Sequence, residues 1–374
     1  MNVLHISHTD IRYDSRILKE MTYLNSLSDI SIHGLGVVMR EGNIKGSNFL
    51  NFNISLIDLS SRLFRIPKIL RLALEVIEFS FKTFFNILKL RPKIIHCHDL
   101  TPLPVCILSK IFFSFKLIYD AHELESDKAG SSRIISTVTY FFESILINPV
   151  DFFITVSPSI EEWYKQNYSI KDSAIILNSP LCLESKNTFD KRYLREKFGL
   201  GDEKAKIFIY VGFLSDGRNI QQIIDYFSKA KLHHLVILGY GPLFDDISTL
   251  ASENRFIHLH EPVAHEHVVE IVKSADYGFC MIQNISLSDY YSLPNKIFEY
   301  AFAKVPVIAS DFPDIKHFLY KHNIGICCGE GEDLVNALNV ITRHKFNPNP
   351  DIHHYSWANQ TSILKSIYNY LILN

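Results

Sequence analysis

The segment Ser292–Asp311 reads SLPNKIFEYAFAKVPVIASD and sets Asn295, Lys296 and Glu299 at the mouth of an expected helix that runs into a buried strand. Pro294 can open that helix, because a residue without an N–H loses nothing in the first turn. The backbone N–H groups of a helix start attract anions, and Lys296 adds a full positive charge beside them. A carboxylate one turn further in, Glu299, accepts two hydrogen bonds at once, as a pair of sugar hydroxyls would require. Ile297, Phe298, Ala301 and Phe302 form one apolar stripe, with Lys296 and Glu299 pointing away from it. The alternative is a solvated i,i+3 ion pair between the two, worth roughly a few tenths of a kcal/mol.

Other polar groups stand at the ends of strand-like runs. Arg218 follows Gly217 shortly after IFIYVG, where it either meets an anion or lies on a helix surface. Gly239 and Gly241, in GYGP, follow the run LVIL and make a G-x-G turn, by itself a weak signal for a ligand. The run YDAHELESD ends a strand with Asp120, His122 and Glu123, and a lone histidine there is ordinarily structural. His96 and His98, in HCH, alternate onto one face of a strand. Zinc would want a third and a fourth ligand, none is evident nearby, and no metal site is expected. Asp99, at the end of the same strand, is the residue expected to face a ligand.

The elements that must position these groups follow from hydrophobic patterning. Strand-like runs NVLHIS, ISIHGLGVV, ISLIDL, KIIHCHD, FKLIYDAHE, FFITVS and AIILNS alternate with helical segments, among them Ser15 to Ser26 and a long one from Arg62. That alternation implies βαβ units and a parallel sheet. After a polar stretch the pattern restarts with IFIYVG, HLVILGY, FIHLH, YGFCMI, VPVIAS and GICC. The expectation is therefore an α/β protein of two doubly wound Rossmann-like domains facing across a cleft. Residues 1–182 form the first and 183–356 the second, with a linker near Pro180 to Thr188. A last helix, residues 357–374, packs back on the first domain. Ligands of such sheets bind beyond the carboxyl ends of the strands.

Composition narrows the partners. A chain of 374 residues exceeds what one core comfortably supports, which favours two domains. The formal net charge of −2 argues against nucleic-acid binding through bulk positive charge, so an anionic partner must be met by local groups. The six cysteines show no C-x-x-C spacing and sit mostly in apolar runs, as free thiols of a reducing cytoplasm do. The first residues lack the pattern of a signal peptide, and no apolar run is long enough to span a bilayer. The stretch from Arg62 to Lys93 interleaves Arg62, Arg65, Lys68, Arg71, Lys82, Lys89, Arg91 and Lys93 with Leu, Ile and Phe. It is either a packed helix with a solvated basic face or a peripheral contact with an anionic membrane.

The succession YVGFLSDGRNIQQIIDYF, LVILGYGP, ADYGFCMI and LPNKIFEYAFAKVPVIAS resembles the nucleotide-binding half of retaining family 4 glycosyltransferases of the GT-B type. YDSRILKEMTYL, IIHCHDLTPLP, LIYDAHELESD and FFITVSPSIEEWY are similar to the other half. The resemblance implies a nucleoside-diphosphate sugar as donor, a glycan or lipid-linked acceptor, and no metal or other cofactor. A pair of glutamates eight positions apart contacts the donor in that family. Glu299 matches the second, at the ribose, while the first falls on Tyr291. Of the basic pair that holds the diphosphate, the first member falls on Phe213, directly after Gly212, Arg218 stands near the second, and Lys296 compensates. The GYGP loop lies beside the base, and Pro294 and Asn295 begin the donor helix. His122 matches the histidine that faces the donor sugar near the leaving phosphate. Asp14 and Arg16 match a variant of the loop after the first strand, and with Asp99 and Glu123 they are assigned to the acceptor side.

The expected function is sugar transfer with retention, by attack from the leaving-group face, in the assembly of a bacterial surface polysaccharide such as capsule or O-antigen. The expected location is the cytoplasm, with possible contact on the inner face of the membrane. Two other readings share the fold: an epimerase of nucleotide sugars, and a nucleotide-sugar-binding subunit without activity, which Tyr291 and Phe213 favour.

Overall fold

A computed structural model describes residues 1–39, 52–181, 189–201, 204–329, 334–347 and 350–373. The chain divides into two units, Met1–Ile176 with Thr361–Asn374, and Leu177–Gln360. The expected boundary at 182/183, most of the expected linker, and Cys182 lie outside the described residues.

In the first unit the elements are β1 (Asn2–Ile6), α1 (Ser15–Asn25), β2 (Ser31–Val37), β3 (Asn53–Ile57), α2 (Lys68–Leu90), β4 (Ile94–His98), α3 (Leu103–Phe112), β5 (Lys116–Ala121), α4 (Arg133–Leu146), β6 (Phe152–Thr155), α5 (Pro158–Asn167) and β7 (Ser173–Ile175). The strands pair in parallel in the order β3-β2-β1-β4-β5-β6-β7. Central strands β4 and β5 are buried on both faces, which is why IIHCH and KLIYDA read as continuous runs and not as alternation. The expected helix from Arg62 begins instead at Lys68. A short 3-10 turn occupies Ser60–Leu63, and Pro67 caps the helix that follows.

In the second unit come α6 (Tyr193–Lys197), β8 (Ile207–Phe213), α7 (Ile220–Ala230), β9 (His234–Tyr240), α8 (Phe244–Glu253), β10 (Ile257–His260), α9 (His265–Val272), β11 (Tyr277–Cys280), α10 (Leu287–Tyr290), α11 (Asn295–Ala303), β12 (Val307–Ser310), α12 (Pro313–His322), β13 (Gly325–Cys328), α13 (Leu334–Arg343) and α14 (Trp357–Leu373). The parallel order here is β10-β9-β8-β11-β12-β13. Phe208, Phe227, Phe279, Ile223 and Leu235 anchor the core on one face of this sheet. From Thr361 onward α14 belongs to the first unit. There Tyr368 hydrogen-bonds His96 on β4 at 2.9 Å and Tyr370 donates to Asp172 at 3.0 Å.

Both orders have a switch point, between β1 and β4 and between β8 and β11, where successive crossovers leave in opposite directions along the sheet. Loops diverge there, and the strand ends are left open to a ligand. The chemistry-bearing residues collect at these two places.

Candidate functional site

At the switch point of the second unit, α11 starts directly behind the sheet. Pro294 is its N-cap, one residue earlier than the expected first helical position, and no side chain caps the first turn. Lys296 turns toward β8. Its Nζ donates to Tyr210 Oη at 3.1 Å and lies 4.2 Å from the centroid of that ring. Tyr210 Oη in turn donates to the carbonyl of Phe213 at 3.1 Å, which fixes the phenol at the strand end. The tip of Lys296 also rests against Gly212: a Cβ there would stand 3.5 Å from Nζ, on a backbone with φ of +125°. The ammonium thus occupies the end of β8, beside the position where the resemblance expected the first basic residue.

Glu299 is 5% exposed, buried with Ile297, Phe298 and Tyr300. The sequence expectation of an outward-facing Lys296 and Glu299 is corrected. The helix packs nearly all round, so burial reaches the polar side as well. Arg218 NH1 lies 3.6 Å from Asp289 Oδ1. Cys280, at the end of β11, feels all three charges: burial pushes its thiol up to about 11, against Lys296 and Arg218 and with Glu299.

The remaining donor-side residues divide. A Cβ on Gly239 would collide with the carbonyl of Gly212, and one on Gly241 with that of Leu214, so close backbone approach of β8 and β9 already accounts for both glycines. Asn295 is the first residue of α11. Tyr291 ends α10, its ring 5.4 Å from that of Tyr290. Phe213 is half exposed against the edge of Tyr240. A cavity of about 620 Å³ opens beyond β11, β12 and β13, lined by Asn219, Gln283, Tyr290, Ser310, Asp311 and Gly329 among others; neither Lys296 nor Glu299 lines it.

In the first unit Asp120 is the hub of the strand ends. It takes two hydrogen bonds from Arg16 NH2, at 3.0 and 3.1 Å, and its Oδ2 lies 3.5 Å from His96, His98 and His122 alike. Burial opposes its ionisation, but Arg16 and His122 hold it well below the usual carboxylate range. His122 is likewise held protonated. Burial works against the charge, yet Asp99 and Asp120 push the imidazole up to about 10. Asp99 adopts a left-handed φ of +62° and accepts the His122 backbone N–H at 3.3 Å, so the strain of β4's exit loop serves to place His122.

Three acceptor-side expectations change in character. Asp14 is the N-cap of α1, accepting from the N–H groups of Arg16 and Ile17. Arg16 neither reaches out nor meets solvent; it is 3% exposed, bound to Asp120 and to the carbonyl of Ile176 at 2.6 Å. Glu123 is 56% exposed and 3.8 Å from Lys128. Several participants had no sequence signal: Tyr210, Asp289, His5, Glu20, and the pair Glu125–Lys128 at 2.6 Å. Only their arrangement in space singles them out. Glu125, buried beside Asp99 and only partly offset by Lys128, is pushed up to about 8.

Residues 205–343 match the model described as Glycosyl transferases group 1. The matched stretch holds β8 through α13, and with them Arg218, Lys296 and Glu299. No curated protein matches the chain. Among solved structures, sucrose-phosphate synthase from Thermosynechococcus elongatus superposes over 100% of this chain and 99% of its own, with a TM-score of 0.76 at 15% identity. HepE from Anabaena, in complex with UDP, covers 100% of both chains with a TM-score of 0.66 at 15% identity. The catalytic domain of starch synthase IV from Arabidopsis thaliana, bound to ADP and acarbose, covers 100% of both with a TM-score of 0.67 at 12% identity. These likenesses show the fold, two parallel-sheet α/β units of the GT-B type.

Proposed function

We propose that the protein transfers a sugar from a nucleoside-diphosphate sugar to a glycan or lipid-linked acceptor, with retention of anomeric configuration. The observation that carries this reading is the placement of Lys296. A cation stands at the end of β8 and at the uncapped start of α11, with the buried carboxylate of Glu299 one turn further in. A departing nucleoside diphosphate builds negative charge, which Lys296, Arg218 and the first N–H groups of α11 stabilise more in the transition state than before it. Glu299 takes the ribose hydroxyls. The family resemblance assigns the protonated His122 of the first unit to the donor sugar, and Asp99 and Asp120 hold it in its charged form. This reading names no protein base, because a donor phosphate oxygen takes the acceptor proton, and it calls on no metal at the diphosphate.

The membrane contact expected from segment 62–93 takes a different form. Arg62 and Arg71 both pair with Glu75, and Lys82 pairs with Glu78, so two carboxylates answer three of the eight basic side chains. What stands out is apolar exposure on the packed helices α2, α3 and α4: Ile69, Phe81, Ile111, Phe112, Ile134 and Phe141 are all more than half exposed. Among the described residues no helix is long and apolar enough to cross a membrane. We therefore propose that this face lies on a bilayer surface, which suits a lipid-linked acceptor of surface polysaccharide assembly.

A thermal-shift screen of nucleoside diphosphates and their sugars tests the donor reading, since a ligand that binds only the folded state raises the melting temperature by mass action. Stabilisation by one nucleoside diphosphate, followed by its release from the sugar donor only when acceptor is supplied, is the expected outcome. Donor binding without transfer would instead select the inactive-subunit reading, for which Tyr291 and Phe213 are the specific observations. Epimer formed without nucleotide release would select an epimerase.

A further inference from the structure

The pair His96 and His98 lacked further ligands along the chain, but the fold brings two beside it. His5 on β1 pairs in register with His96 on β4. Its ring lies 4.6 Å from that of His96 and 5.2 Å from that of His98. Glu20 enters from α1. All four side chains are fully buried. Neither Glu20 oxygen makes a hydrogen bond, and neither does His96 Nε2. Glu20 does have an ion pair, 3.3 Å to Arg16, yet that guanidinium is already committed to Asp120 and Ile176. A buried carboxylate and an imidazole nitrogen aimed at each other across 3.7 Å without a hydrogen bond is an arrangement that interiors ordinarily avoid.

We propose that His5, His96, His98 and Glu20 bind one divalent transition-metal ion, with Zn²⁺ as the best chemical fit. Three imidazoles and one carboxylate are a zinc-type donor set and a poor one for Ca²⁺ or Mg²⁺. One ligand atom from each residue lies within 4.8 Å of all the others. Ligand atoms on tetrahedral zinc stand roughly 3.3 Å apart, as bonds of about 2.0–2.1 Å require. Two of the six separations stand on either side of that value, 2.9 Å from His5 Nδ1 to His98 Nε2 and 3.7 Å from His96 Nε2 to Glu20 Oε2, and the rest stay within 4.8 Å.

The far nitrogens of two rings are held as a second shell would hold them. His96 Nδ1 meets Tyr368 Oη at 2.9 Å, and His98 Nδ1 lies 3.5 Å from the carboxylate Oδ2 of Asp120. On binding, the proton shared between His5 Nδ1 and His98 Nε2 moves to the far nitrogen of its own ring, His5 Nε2 beside Tyr368 Oη or His98 Nδ1 beside Asp120 Oδ2. Because protein groups fill all four positions, the ion's role is structural: it fastens β1, β4 and α1 to one another directly behind His122.

The test uses the full-length chain, stripped with a chelator and titrated with Co²⁺ as an optical probe and then with Zn²⁺. The expected result is a single equivalent of Co²⁺ giving the visible bands of a tetrahedral site, displaced by Zn²⁺. The melting temperature should rise by roughly several degrees on metal binding. Glu20→Gln and His96→Gln should each abolish the bands, with folding confirmed by circular dichroism. Bands that persist in both variants would place the metal on surface histidines and overturn the proposal. So would the wild-type chain giving neither bands nor stabilisation, a readout that needs no variant to fold; the cluster would then be a purely hydrogen-bonded network.

Discussion

Lys296 and Glu299 are five and eight positions from Tyr291, yet at the scale of single residues their difference in setting decides their roles. Lys296 is braced by one phenol and the close face of a glycine, so a phosphate gains a charge already in place. Replacing it, as Lys296→Met, should weaken binding of the best nucleoside diphosphate by about ten- to a hundredfold, the usual loss of a charged hydrogen bond. Isothermal titration calorimetry measures this, and unchanged affinity would remove Lys296 from the site. Glu299→Ala is expected to act in the same way, on affinity. His122→Ala should act on turnover, with the donor affinity close to wild type, and steady-state kinetics separates the two. Glu299 and His122 were singled out as candidates in the sequence through the motifs around them. The bracing of Lys296 by Tyr210 was not, because a strand residue and a helix residue 86 positions apart meet only once both are packed.

Among elements, α1 and α2 show how charged side chains can serve the scaffold. Asp14 receives the first N–H groups of α1, so Asp14→Ala should cost about 1 kcal/mol of stability. Asp14→Asn, which keeps a cap, should cost little; an activity loss in the Asn variant at wild-type melting temperature would restore a role at the acceptor. Glu78 on α2 accepts from Lys82 and from the N–H groups of Ser60 and Ser61. Burial opposes its charge, but these donors lower it from an ordinary 4.5 to about 2. A carboxylate depressed in the folded state contributes stability above its unfolded pKa and loses it as pH falls. The gap in melting temperature between wild type and Glu78→Gln should be constant near neutrality, shrink below about pH 4.5, and close near pH 2. A gap independent of pH would exclude this account.

For the whole molecule, the exposed apolar face of α2, α3 and α4 sets the prediction. Phe81→Asp combined with Phe141→Asp should reduce co-sedimentation with anionic vesicles severalfold, whereas raised salt, which screens charge and not apolar burial, should reduce it less. Salt-sensitive binding that survives the double substitution would return the role to the basic side chains. The thirteen strands among the described residues were readable as runs such as IFIYVG and KIIHCHD, and central ones such as β4, β5 and β12, buried on both faces, leave unbroken apolar segments between helical ones. Local chemistry along the chain thus determined the α/β class, the two doubly wound sheets, and the start of a helix at Pro294. Only tertiary structure decided that Arg16 is a buried partner of Asp120, that Glu299 is enclosed, and that His5 and Glu20 join His96. Those outcomes depend on which strand neighbours which, and on how far burial reaches around a helix, and both are set by long-range packing that no local spacing encodes.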